Sequence, residues 1–316
     1  MRIAILDDYQ NIALGLADWA SIGVDAEIKV FNEHMGDEET VAAALADFDV
    51  VVAMRERTPF SANLLKRLTK LKLLVSTGAR NRSIDLEAAV GQGIIVGGTP
   101  LIPYPPTEFT WALILGIVKG VPADNAAMRL GKWQTQVGGT LKNKTLGIVG
   151  LGNLGGQMAL IGRAFGMQII AWSQNLTDER AAECGAKRVS LDTLMETADI
   201  VTIHLYLSDR TRGVIGAREL NLMKPSAYLV NIARGPIVDE SALIDALRNR
   251  KFAGAALDVF DVEPLPVDHP LRSLDNTILT PHMGVVAEEG LRVMYVGAVE
   301  NICAYRVGRP VQLLRV

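Results

Sequence analysis

The chain has 316 residues, more than one typical hydrophobic core serves, so about two domains are expected. Hydrophobic residues make up 49% and charged residues 21%, the balance of an ordinary globular protein, and a net charge of -3 leaves no basic footprint for a nucleic-acid partner. Two cysteines, Cys184 and Cys303, stand far apart without a partner motif, which argues against a disulfide framework and a zinc site; no metal is expected.

The segment Met1–Asp8 starts a strand at once and lacks the apolar stretch of a signal peptide, so the cytoplasm is the expected location. Short strands are predicted at Ile3 to Leu6, Glu27 to Val30, Val50 to Ala53, Leu71 to Val75 and Gly93 to Val96, with helices at Glu39 to Ala46, Ala62 to Leu68 and Asp85 to Val90. These form one small doubly wound unit. The prolines of Thr99 to Pro106 fit neither a helix nor a central strand and mark a crossing between domains. A helix follows from Thr107 to at least Val118, its continuation past Pro122 left open. Its apolar run, Phe109 to Val118, falls short of the ~20 residues of a membrane span, so it is a core helix and no membrane partner is expected.

The second half opens with a strand at Thr145 to Val149 and a helix at Met158 to Phe165. Further strands are predicted at Gln168 to Trp172, Arg188-Val189, Ile200 to His204, Tyr228 to Asn231, Gly254 to Leu257 and Thr277 to Leu279. A long helix, Ala287 to Tyr305, precedes Gly308-Arg309-Pro310 and an apolar tail, Val311 to Val316. Because the second sheet is complete by Leu279, the last helix returns to the first domain. The expected architecture is α/β: two doubly wound, Rossmann-like domains with a cleft between them, the first discontinuous. Residues 1–100 plus 286–316 would form the first domain and 101–285 the second.

The chain is organised around Leu146 to Gly156, an apolar strand running into Gly150-Leu151-Gly152-Asn153-Leu154-Gly155. Gly150 permits a tight turn, Gly152 lets the backbone approach a pyrophosphate, and Gly155 lets the helix pack on the strand, while the helix N-terminus offers N–H groups to an anion. Alone such a motif can be a bland glycine-rich turn; between a strand and a helix it predicts a bound dinucleotide.

Together with Asn231 to Asp239, Ala256 to Pro266 and Thr280-Pro281-His282-Met283-Gly284, this motif resembles the D-isomer-specific 2-hydroxyacid dehydrogenases, with matches over nearly the whole chain. The resemblance implies a two-domain, usually homodimeric oxidoreductase moving a hydride between NAD or NADP and C2 of a small 2-keto or D-2-hydroxy acid. Arg234, Glu263 and His282 match its catalytic positions. A guanidinium binds a carboxylate through parallel hydrogen bonds and polarises the adjacent carbonyl, while an imidazole backed by a carboxylate donates a proton to the forming alkoxide. Singly, each could be a surface ion-pair partner, a loop carboxylate or a turn histidine. All three, however, lie just beyond predicted strands, where crevice residues of open α/β sheets collect.

The resemblance adds Thr107 and Ile232 beside the nicotinamide, Asp258 as acceptor for its carboxamide, His204 near the adenine, and Ala233, Arg234, His282 and Gly284 along the cofactor. Thr107 reads equally well as a helix N-cap. On the substrate side stand Arg55 and the loop containing Gly78, Ala79 and Arg80, with Arg234 and His282. Arg80 replaces a common second glycine, and solvent is its alternative destination. With these arginines the site favours glyoxylate-like or hydroxypyruvate-like acids. At the end of the second strand of the nucleotide domain, Ser173, Gln174 and Asn175 stand where NAD-selective sites usually carry an acid, which permits NADP and tilts the reading towards it. The alternative function is a catalytically silent dinucleotide-binding regulator of the same fold. A hydrolase is disfavoured because neither a phosphate-loop lysine motif nor a nucleophile elbow is present.

Overall fold

The computed structural model describes residues 1–309 and 312–314; of the predicted ending, Pro310, Val311, Arg315 and Val316 lie outside the described residues. The chain divides into one unit formed by Met1–Ile102 and Val286–Val316 and a second formed by Pro103–Val285.

In the first unit, β1 (Arg2–Ile5), β2 (Glu27–Val30), β3 (Val50–Ala53), β4 (Leu73–Ser76) and β5 (Ile95–Gly98) make a parallel sheet in the order β2-β1-β3-β4-β5. Val50 to Ala53 and Leu73 to Ser76 are buried throughout, because helices cover both faces of a parallel sheet and leave no solvent side. Strand order reverses between β1 and β3, so the loops after these strands flank the unit's switch point. The C-terminal segment completes this unit. Helix Glu288–Arg306 packs on β4 and β5, and Tyr295 is buried edge-on against Trp19. Asn301 donates to the Gly98 carbonyl at 2.8 Å and accepts from Gln312 N–H at 2.7 Å. Of the tail's described residues, Leu313 bridges antiparallel to Gly97, and Leu314 is buried in the same core as Val96.

The second unit carries β6 (Thr145–Val149), β7 (Gln168–Trp172), β8 (Lys187–Arg188), β9 (Ile200–Ile203), β10 (Tyr228–Asn231), β11 (Gly254–Leu257) and β12 (Thr277–Leu279). All pair in parallel in the order β12-β11-β10-β9-β6-β7-β8, a dinucleotide-fold order with its reversal between β6 and β9. Alternate residues feed separate cores on the two faces: Val201, Leu229 and Leu257 pack on one side, Leu146, Ile148 and Val230 on the other.

Several predicted boundaries shift. The helix read from Met158 begins at Asn153, directly after the glycine turn, because its first turn is glycine-rich and carries little apolar pattern. The helix expected from Thr107 starts at Pro105 and stops at Lys119, where Gly120 is left-handed; Pro122 then opens a separate helix, Val121–Arg129. His204 lies beyond β9 rather than in it.

Candidate active site

The glycine turn sits at the C-terminal end of β6, beside the switch point. Gly150 has φ +104, and a Cβ there would lie 2.8 Å from the His204 carbonyl, so the close approach excludes any side chain. A Cβ on Gly155 would overlap the Gly150 carbonyl, which fixes how tightly helix Asn153–Ala164 sits on the strand. Over Gly152 the space is open, and no side chain caps the helix that starts at Asn153 and Leu154. An open backbone facing uncapped N–H groups fits the pyrophosphate of a dinucleotide.

Around this turn the predicted cofactor residues divide. Thr107 is not an N-cap: that position is Tyr104, and the Thr107 hydroxyl, buried in the first turn, donates to Gln157 Oε1 at 2.8 Å. The His204 ring exchanges a 2.9 Å hydrogen bond through Nε2 with Thr202, and burial lowers its pKa to about 4, so the ring is neutral. Ser173 is half-buried, Gln174 and Asn175 exposed.

The three charged candidates converge at the C-terminal ends of β10, β11 and β12. His282 Nδ1 meets Glu263 Oε2 at 2.6 Å, and Glu263 Oε1 accepts from Phe260 N–H at 2.9 Å. Burial pushes the Glu263 carboxyl up. The His282 hydrogen bond and charge, the Phe260 N–H and the nearby Arg234 charge outweigh it and hold the group below the usual carboxylate range. With Nδ1 turned to Glu263, Nε2 is the ring nitrogen of His282 left for another partner.

Two details that sequence reasoning passed over hold this cluster. Asn231, buried at the end of β10, accepts from Ala233 N–H and donates to the Arg234 carbonyl, shaping the turn that carries Arg234. The Arg234 side chain also donates from Nη1 to the Ala233 carbonyl at 2.7 Å. Next, a Cβ on Gly235 would overlap the Phe260 carbonyl and lie 2.7 Å from Asp261 N, so the arginine turn is seated directly on the loop that carries Glu263. Both residues stand in the Asn231 to Asp239 motif. Their signal was a polar side chain ending an apolar strand and a glycine following an active-site candidate.

Asp258, expected at a carboxamide, is fully buried, and burial raises its pKa against three hydrogen bonds. It accepts from the Thr280 hydroxyl at 2.6 Å and from Met283 and Gly284 N–H at 2.7 and 2.8 Å. These bonds bracket His282, whose backbone is left-handed at φ 55, and hold the histidine loop to the end of β11. Ile232 is buried beside Gly284.

In the first unit, the loop after β4 departs from expectation at Gly78. Its N–H donates to Thr99 Oγ1 at 2.8 Å, so that group is committed to the protein instead of a carboxylate. Arg55, with φ 53, lies with its guanidinium over Gly78, and Asn81 ties the Arg55 carbonyl to Ser76. Ala79 is half-buried and Arg80 exposed.

The family described as "D-isomer specific 2-hydroxyacid dehydrogenase, NAD binding domain" matches residues 111–284. Glyoxylate reductase from Aeropyrum pernix is 41% identical over 257 residues, 78% of this chain and 77% of that protein. D-3-phosphoglycerate dehydrogenase from Methanocaldococcus jannaschii is 38% identical over 80% of this chain, which spans only 48% of that longer protein. Among solved structures, phosphoglycerate oxidoreductase from Vibrio cholerae superimposes with a TM-score of 0.92 at 34% identity, covering 98% of this chain and 99% of that one.

Proposed function

Since the chain belongs to the D-isomer-specific 2-hydroxyacid dehydrogenase family, we propose that it reduces a small 2-keto acid of the glyoxylate or hydroxypyruvate kind to the D-2-hydroxy acid, with Arg234, Glu263 and His282 as its catalytic group. The observation that carries this is the 2.6 Å His282–Glu263 pair under the charge of Arg234, all on strand ends of the sheet that carries the glycine turn. A bound nicotinamide supplies the hydride. Arg234 holds the substrate carboxylate, His282 delivers a proton from Nε2 to the C2 oxygen, and Glu263 keeps the imidazole oriented throughout.

The backbone at Gly152, Asn153, Leu154 and Gly155 holds the pyrophosphate, and the absence of an acid at Ser173 admits NADP(H). We further propose Arg55, Ala79 and Arg80, on the loops after β3 and β4 of the first unit, as substrate-recognition residues. Arg80→Gly therefore raises the Michaelis constant for an anionic keto acid more than for pyruvate.

A homodimer fits the surface of the second unit. Helix Val121–Arg129 buries none of its residues, and Met128, Leu130, Trp133 and Val137 around it are exposed, an apolar surface that a second copy would cover.

The deciding experiment follows absorbance of the reduced nicotinamide while glyoxylate, hydroxypyruvate, pyruvate and longer 2-keto acids are offered in turn. Turnover of one or more small acids is expected. Binding of the dinucleotide without turnover of any would favour the silent regulator.

A further inference from the structure

Selectivity between the two nicotinamide dinucleotides is decided where the ribose 2′ position is held, at the end of the second strand of such a sheet. Here that strand is β7, and it is followed by Ser173, Gln174 and Asn175 with no carboxylate. Two arginines stand on the elements that flank this end. Arg180, on helix Asp178–Glu183, reaches back over the glycine-rich helix: a Cβ on Gly156 would lie 3.4 Å from its Nη2. Its partner Glu183, at 3.1 Å, forms an exposed ion pair, a weak tie that a phosphate dianion can displace.

The second cation comes from the loop after β9. Gln174 Nε2 donates to the Arg210 carbonyl at 2.8 Å, which fastens the turn carrying Arg210 to the end of β7. That turn is rigid: the buried Thr211 hydroxyl donates to the Tyr206 carbonyl at 2.7 Å and accepts from Ser208 N–H at 2.8 Å. Arg210 itself is exposed, whereas Arg212, two residues on, acts on Asp261 instead. Of the three acids on the neighbouring helix, Asp178 is paired with Arg188 and Glu183 with Arg180, and Glu179 is hydrogen-bonded to Thr177 at the helix start.

We propose that Arg180 and Arg210, brought to the end of β7 by the Gly156 gap and the Gln174 tether, are the specificity-determining residues for the 2′-phosphate of NADP(H). The inference rests on the dinucleotide reading above and adds to it the groups that choose the cofactor. Arginine side chains beside a hydroxyl and two amides recognise a phosphate monoester through charge-assisted hydrogen bonds, and β7 is followed by no carboxylate that would reject it.

Calorimetric titration of the full chain with 2′,5′-ADP, 5′-AMP, NADPH and NADH tests this without any turnover. The wild type is expected to bind 2′,5′-ADP and NADPH at least about tenfold more tightly than 5′-AMP and NADH. Arg210→Ala and Arg180→Ala should each reduce that preference several-fold, leaving 5′-AMP and NADH binding unchanged. The contrast should shrink as salt rises. Tighter binding of NADH than of NADPH, or a preference untouched by both substitutions, would overturn the assignment while leaving the dinucleotide site standing. Failure of all four ligands to bind would overturn both.

Discussion

Substituting Gly235 with alanine adds a single methyl group to a residue outside the proposed catalytic group, yet it should disable the enzyme. That methyl would overlap the Phe260 carbonyl and come within 2.7 Å of Asp261 N, where ordinary contact begins near 3.4 Å. The loop must retreat by about 0.7 Å at Asp261 and further at Phe260, hence on the order of 1 Å overall. Phe260 N–H holds Glu263, and Glu263 holds His282, so the displacement passes straight to the proposed proton donor. Misplacement of that size costs about a hundredfold in turnover, alongside roughly 1–3 kcal/mol of stability from overpacking. Steady-state kinetics beside chemical denaturation and dinucleotide titration separate the two effects. Gly15→Ala, at a helical glycine with open space around it, is the control and should leave turnover unchanged. A Gly235→Ala enzyme that keeps wild-type kcat would refute the coupling of the arginine turn to the histidine pair.

Replacing His282 with alanine should lower turnover by on the order of a hundredfold or more, with dinucleotide affinity retained, because the substitution removes the proton donor we propose; equal losses in dinucleotide affinity would instead mark a structural role. The depressed Glu263 carboxyl sets a stability window: its contribution is fully present above the ordinary glutamate value of about 4.5 and is lost as pH falls through the lower folded-state value. Glu263→Gln should therefore cost about 1–2 kcal/mol at pH 7 in urea unfolding, with the gap to wild type closing on acidification.

The sheets were legible because parallel strands, buried on both faces, write themselves as short apolar runs: Val50 to Ala53 and Thr145 to Val149 stand at the expected positions. Helix starts were harder. The helix at Asn153 opens with glycines that a ligand-binding turn requires, so its first turn shows no periodicity, and Pro105 moved a start that Thr107 seemed to announce through its capping chemistry. In the site, the charged residues could be read from their motifs and strand ends. What could not be read was the shell that aims them. Asp258 binds backbone N–H groups some twenty-five residues away, and Gly235 meets a loop from another strand end; neither pairing has a local spacing to betray it. The commitment of Gly78 N–H to Thr99 is likewise a contact between neighbouring strand ends that no single segment encodes.

The return of the last helix to the first unit has a consequence for how the polypeptide is made. While a ribosome is still extending the chain, residues up to Ile102 have emerged but lack helix Glu288–Arg306, which supplies Tyr295 and Ile302 to their core. Buried strands such as β4 must wait, one face incompletely covered, until the whole of Pro103–Val285 has been synthesised. The second unit, contiguous in sequence, can close first. The nascent first unit is thus the stage at which chaperone binding would matter, and a circular permutant that moves residues 286–316 ahead of Met1 should shorten that vulnerable interval and lessen dependence on such help.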